Sequence, residues 1–243
     1  MSRYKLKLSG LSLAILIGLG NSALMARAQG SSPTLTGYRS SLIDVSFVPP
    51  QDEGAPRHTA SGASRSNCPQ PTALLPDEQP YGLTIQERPV IVVNLPQSSA
   101  QQVFLSVKTD GGDYYYGTRI DIVNRTGITA ISLPEEAPPL TLGEPYQWSI
   151  ALICSDELRP DSPFVQGWIR PVQLNSNLTK AWDDLLPIEQ AAFYGQQGIW
   201  YDMVSVLFYA RLTNPDDNEI EQAWNSVLDA ANLGQFTEAE ASP

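Results

Sequence analysis

Seven short runs of alternating apolar and polar residues, separated by proline, glycine and asparagine breaks, are followed by a stretch with helical spacing. That succession predicts an α+β protein: an antiparallel β-sandwich of immunoglobulin or fibronectin type, then a small α-helical hairpin region packed on it. The strand that organises the sandwich is Tyr146-Gln147-Trp148-Ser149-Ile150-Ala151-Leu152-Ile153-Cys154. Period-two alternation puts Tyr146, Trp148, Ile150, Leu152 and Cys154 on one face and Gln147, Ser149 and Ala151 on the other. Trp148 is expected to fill the space between the sheets, with Trp168 doing the same from a neighbouring strand.

The first 28 residues read as a signal peptide. Arg3, Lys5 and Lys7 precede the apolar run Leu11–Leu19, and Ala26-Arg27-Ala28 has the small-x-small form of a cleavage site, placing the mature start at Gln29. The apolar run breaks at Gly20-Asn21-Ser22, short of the roughly 20 residues that a membrane-spanning helix needs. No cysteine sits at the cleavage site to take a lipid, and no later segment is apolar enough to span a bilayer. The signal holds four of the 15 basic residues (Arg3, Lys5, Lys7, Arg27) and none of the 26 acidic ones, leaving 11 against 26, a net charge of −15. Such a surface repels phosphate backbones and anionic lipid, which argues against nucleic acid and anionic membrane as partners. In an exported chain, the two cysteines, Cys68 and Cys154, read as a disulfide.

Residues 29–67 are poor in large apolar groups and read as a flexible N-terminal segment, apart from a possible short strand at Leu42–Val48. They include the only histidine, His58. The sandwich is assigned to residues 68–175, with strands at Leu83–Gln86, Val90–Leu95, Gln102–Thr109, Tyr114–Val123, Ile128–Leu133, Tyr146–Cys154 and Val165–Val172. Asp110-Gly111-Gly112-Asp113 reads as a hairpin turn.

Residues 176–233 form the helical region, and 234–243 a polar tail. A short helix is expected over Thr179–Leu186, a second from Pro187 and Ile188 toward Gly198, and a third from Trp200 burying Met203, Val204, Leu207 and Ala210. Asn214-Pro215-Asp216-Asp217 is a stop and an acidic start. The last helix puts Ile220, Ala223, Trp224, Val227, Leu228 and Ala231 on one stripe and ends at Gly234. Tyr194, Gly198, Trp200, Ala210 and Pro215 resemble the spacing of a tetratricopeptide repeat, although Met203 stands where that repeat has alanine. One such unit cannot bury its own apolar face, so the helices are expected to pack on the sandwich as a lid fixed by Trp182, Trp200 or Trp224.

Several short motifs together are more specific. They are Cys68-Pro69, Gly82-Leu83-Thr84 to Pro89, Gly127-Ile128 to Pro134, Tyr146-Gln147-Trp148 to Cys154, Val165–Ile169 and Gly198-Ile199-Trp200-Tyr201-Asp202. The span from Cys68 to Leu233 resembles a family of exported bacterial proteins known only as domain of unknown function 928. The resemblance implies export and a two-part build, and no activity.

Chemistry is sparse. Nucleophilic triads and histidine-ligated zinc both need histidines beyond His58. No phosphate-binding loop or cofactor motif is present, so no cofactor is expected. Asp156-Glu157, Asp161, Asp183-Asp184 and Asp202 could supply a glycosidase carboxylate pair, but exposed loops and helix caps explain them better. Asp216-Asp217-Asn218 with Glu219 and Glu221 lacks the loop glycine of a calcium site. Tyr114-Tyr115-Tyr116 must turn at least one ring outward, where it could stack on a sugar or anchor a partner. The expected function is a non-catalytic exported binding or scaffolding module of the cell envelope or extracellular space, with an unknown protein or polysaccharide partner. The alternative is a carboxylate-based hydrolase of envelope or extracellular polysaccharide.

Overall fold

The computed structural model describes residues 45–50, 68–76, 80–174, 185–237, 239 and 241–242, all within one compact unit. The signal segment, its cleavage site at Ala28 and Gln29, His58, Trp182 and Asp183-Asp184 lie outside the described residues. So does the expected Thr179–Leu186 helix, except for its last two residues.

In chain order the strands are Thr72–Ala73 (β1), Tyr81–Thr84 (β2), Val90–Leu95 (β3), Gln102–Thr109 (β4), Tyr114–Asp121 (β5), Gly127–Ser132 (β6), Tyr146–Ile153 (β7), Phe164–Pro171 (β8) and Ala241–Ser242 (β9). Two sheets result, ordered β1-β3-β6-β9 and β2-β8-β7-β4-β5. The pairing is antiparallel except for β2 with β8 and β6 with β9, which run parallel. The strand entering the sandwich is split: β1 pairs in one sheet and β2 in the other, with Pro76 and Pro80 in the crossing. Proline removes a ladder donor, so it suits the point where a strand changes sheets. This order is that of an immunoglobulin-type sandwich, with β3 and β6 facing β4, β7 and β8.

Another mark of that fold is present. Tyr146, the first residue of β7, accepts a hydrogen bond on its hydroxyl from the Thr141 N–H at 3.1 Å. A tyrosine at this strand start, bonded to backbone a few residues upstream, is the tyrosine corner of these sandwiches. The position two residues on, which holds a cysteine in antibody domains, is Trp148. The disulfide lies elsewhere: Cys68 and Cys154 are bonded with Cα atoms 6.1 Å apart, tying the entry of the sandwich to the end of β7.

Strand alternation sets the core. Trp148, Ile150 and Leu152 of β7 are buried opposite Val107, Leu105 and Val103 of β4. Trp148 also faces Gly167 of β8, where an added Cβ would lie 2.7 Å from the indole. Trp168 is therefore on the opposite face from Trp148. Its expected place between the sheets is corrected by register: neighbouring residues of one strand cannot share a face.

Three helices follow: Pro187–Gln196 (α1), Trp200–Thr213 (α2) and Asn218–Ala230 (α3). Pro187 occupies the first turn of α1, and Glu189 reaches back to accept from the Leu186 N–H at 2.8 Å. Helix α2 is buried over most of its circumference, packing on α1 and α3 and against β2 and β3. Asp217 caps α3 by accepting from the Glu219 and Ile220 N–H groups. The predicted stripe Ile220, Ala223, Trp224, Val227, Leu228 and Ala231 is buried, with the Arg211 guanidinium of α2 5.0 Å from the Trp224 ring.

The end of α3 differs from expectation. Asn232, at φ 60°, supplies the left-handed residue, and Leu233 N–H bonds to the Leu228 carbonyl at 2.7 Å. Asparagine tolerates that conformation, so the helix stops before Gly234, which begins a short 3-10 turn. Residues 45–50 belong to no sheet. Val45 is buried, Phe47 meets Trp200 edge to face at 4.8 Å, and Val48 N–H bonds to the Gly195 carbonyl.

Candidate functional site

Three places in the described residues combine chemistry-bearing side chains. The first is the seam between sandwich and helices, formed by the run Trp200-Tyr201-Asp202 at the start of α2. Gly82 on β2 allows the approach, since a Cβ there would lie 2.8 Å from the Trp200 Cβ. Trp200 Nε1 donates to the Leu74 carbonyl at 2.8 Å. The Tyr201 hydroxyl accepts from Trp148 Nε1 at 2.6 Å and donates to the Trp168 carbonyl at 2.9 Å. Burial pushes the Tyr201 phenol far above its usual range. Asp202 accepts from the Ile85 N–H at 3.1 Å and is also hydrogen-bonded by the Thr84 and Gln86 side chains. Burial raises its pKa from 3.8 to about 6, those bonds opposing the rise.

Every polar group of the run is spent on joining the two parts. A buried tyrosine or tryptophan with its polar atom satisfied is what a fixed seam needs. Asp202, one of the carboxylates weighed for a glycosidase pair, is thus 4 % exposed and faces a strand edge rather than a cleft.

The second place is a hollow of about 250 Å³ beside the disulfide, lined by Cys68, Cys154, Leu152, Arg159 and Asp161 among others. Its carboxylate, Asp161, accepts from Arg159 Nε at 3.0 Å, and both side chains are largely exposed. Asp156 and Glu157 lie in the same exposed β7–β8 loop. Asp216 and Asp217 are at the α3 start, where Asp217 is the cap. Among the described residues no cluster of three metal-ligating groups forms.

The third place is the outer face of the five-stranded sheet. Register alternates Phe104, Ser106 and Lys108 of β4 against the buried Val103, Leu105 and Val107. Across the sheet these three stand opposite Arg119, Gly117 and Tyr114 of β5, and opposite Ala151, Ser149 and Gln147 of β7. The three tyrosines are sorted by a bulge. Val107 pairs with Tyr116 and Lys108 with Tyr114, leaving Tyr115 as the extra residue. Tyr115 turns toward the core side, meeting Tyr146 edge to face at 4.9 Å and donating to the Pro139 carbonyl at 2.6 Å. Tyr114 stays outside, 65 % exposed. Its hydroxyl and the Phe104 Cζ both lean over Gly117, where a Cβ would lie 2.6 and 2.9 Å from them. Beside this aromatic pair, the Ser106 and Ser149 hydroxyls bond at 2.8 Å.

Sequence reading singled out the run Tyr114-Tyr115-Tyr116 without saying which ring faces outward, and missed the companions of Tyr114. The alternation of Gln102–Thr109 already puts Phe104, Ser106 and Lys108 on one face. Gly117 and Arg119 become part of the group only through cross-strand register.

The fold and its seam define a class: an immunoglobulin-type β-sandwich with a helical layer keyed into one sheet edge by buried aromatic hydrogen bonds. The sequence matches the family described as Domain of Unknown Function (DUF928) over residues 52–241, and the chain belongs to that family. No curated protein and no solved structure matches the chain. Among the described residues, no helix is long and apolar enough to cross a membrane.

Proposed function

We propose that this protein is a non-catalytic binding module that is exported, after removal of residues 1–28, to the periplasm or extracellular space, and that it binds through the outer face of its five-stranded sheet. The observation that carries the reading is the aromatic pair Phe104 and Tyr114 leaning over Gly117, with Tyr114 left 65 % exposed beside hydroxyl and amide side chains. Large apolar rings with a polar tip, held at low conformational cost on a strand, are the usual anchors of recognition surfaces. Export draws support from the disulfide, which persists in oxidising compartments.

The alternative of a carboxylate-based hydrolase has less support. The buried carboxylates Glu189 and Asp202 each accept a backbone amide in a structural role. A glycosidase pair would instead flank an open cleft about 5–10 Å apart. The tetratricopeptide likeness of α1 and α2 is kept as a description of side-chain spacing, with the faces of α2 largely occupied by its own neighbours.

The test is co-sedimentation of the mature protein with the cell envelope fraction of its own source. The wild-type protein is expected to sediment and Tyr114→Ala to stay in solution with unchanged thermal stability. Equal sedimentation of the two would remove the sheet face from the reading.

A further inference from the structure

We infer that the outer face at β4 and β5 takes an acidic polysaccharide, a glycan whose sugars carry carboxylate or sulfate groups; this rests on the reading of that face as the binding surface. The argument begins with where the positive charge lies. The chain carries 26 acidic and 15 basic residues. Among the described cations, Arg159 and Arg211 are paired with Asp161 and Glu221, Arg88 donates to the Ala137 carbonyl, Arg170 lies 5.8 Å from the Tyr81 ring, and Arg125 is half-buried between β5 and β6. Lys108 and Arg119 have no such partner and are exposed on this one face.

Register places the two cations around the rings. Lys108 is directly opposite Tyr114, and Arg119 directly opposite Phe104. The four-residue offset along β4 separates the two positions by about 13 Å at the usual strand rise. Between them lie the rings over Gly117 and the Ser106–Ser149 hydroxyl pair. Within β4 and β5 the carboxylate on the same face is Asp121, which is engaged by the Gln102 side-chain amide at 2.8 Å, and the exposed Asp110 lies two residues beyond Lys108 in the turn.

Each part matches one feature of an acidic sugar chain. An exposed ring offers a flat apolar surface to the C–H face of a sugar. Hydroxyl and amide side chains donate to and accept from sugar hydroxyls. Lysine and arginine supply charge-assisted bonds to carboxylate or sulfate. Repulsion from the remaining acidic surface is screened within about 8 Å at physiological salt, so the ligand responds to the local cations. A protein partner fits less well. One exposed tyrosine and one half-buried phenylalanine fall far short of the apolar centre of a stable interface, which covers about 800 Å² per partner.

The experiment is native affinity electrophoresis of the mature protein through gels containing polygalacturonate, dextran sulfate, neutral dextran or no polymer. Retardation is expected with polygalacturonate or dextran sulfate, and the two gels tell carboxylate from sulfate recognition. It should be absent with neutral dextran. Arg119→Glu, Lys108→Glu and Tyr114→Ala should each raise the apparent Kd at least tenfold while leaving the melting temperature unchanged. Retardation by neutral dextran that is lost in Tyr114→Ala keeps the sheet face as the binding surface and overturns the acidic ligand. Retardation that survives all three substitutions, or none in any gel, also overturns it; envelope co-sedimentation of Tyr114→Ala then judges the binding face by itself. Self-association through this face, seen as a concentration-dependent mass in the absence of polymer and lost in Arg119→Glu, would identify a second copy as the occupant instead.

Discussion

Replacing Asp202 by asparagine isolates the electrostatics of the seam between helix α2 and strand β2. The carboxyl is buried, and its pKa rises from 3.8 to about 6, chiefly through desolvation of the charged form. The folded state therefore binds the Asp202 proton more tightly than the unfolded chain does. Its contribution to stability is fully present below about pH 4 and is lost as pH rises through about 6. The shift corresponds to about 3 kcal/mol at 1.36 kcal/mol per pKa unit. An asparagine keeps an oxygen that can accept from the Ile85 N–H and carries no charge at any pH. Relative to wild type, Asp202→Asn should thus gain about 3 kcal/mol between pH 4 and pH 8, or about 10 °C in melting temperature for a chain of this size. Urea unfolding of both proteins at fixed ionic strength, repeated at unit pH steps, measures the difference directly. Taking the difference cancels the titration of the other carboxylates. Stability curves that run parallel from pH 4 to pH 8 would refute the reasoning, and so would a variant that loses ground as pH rises.

The remaining predictions concern packing and connectivity. Tyr201→Phe should cost about 3 kcal/mol in urea unfolding, because it leaves the buried Trp148 N–H and Trp168 carbonyl without their shared partner. Gly167→Ala should cost about 2 kcal/mol or more, since its Cβ would press on Leu75 and on the Trp148 indole; a neutral result in a thermal melt would mean that the indole can shift. Cys68→Ala with Cys154→Ala should lower stability by about 4.6 kcal/mol, the chain-entropy value for a bridge closing an 86-residue separation, read as a lower urea midpoint. A chain ending at Asn175 should aggregate or melt earlier, because losing α2 uncovers Trp148 and Gly82; a monomer with an unchanged melting temperature would count against a helical layer that the sandwich needs.

Much of the fold was legible because it is local. A strand with one buried face must alternate, so Val90–Leu95 and Gln102–Thr109 were read with the bounds they have. The buried stripe of α3 followed from helical spacing, and its Asp217 cap from residue type. The Cys68–Cys154 bond followed from there being two cysteines to pair. At the candidate binding face, three adjacent tyrosines announced an outward ring, and the strand pattern held Phe104, Ser106 and Lys108 together. Which tyrosine faces outward depends on a bulge, and a bulge appears only when two strands are compared.

What the chain alone determined is therefore the kind and order of its elements, since propensity, periodicity and turn chemistry act over a few residues. Tertiary structure decided how they meet. It split the entering strand into β1 and β2, running β2 parallel to β8. It put Trp168 on the face opposite Trp148 and made Trp200-Tyr201-Asp202 the seam of the molecule. The partners of Tyr201 lie 53 and 33 residues away, and the Ile85 amide that Asp202 accepts from lies 117 away. No local pattern encodes such contacts; they follow from packing one apolar edge against another and satisfying the polar atoms trapped there.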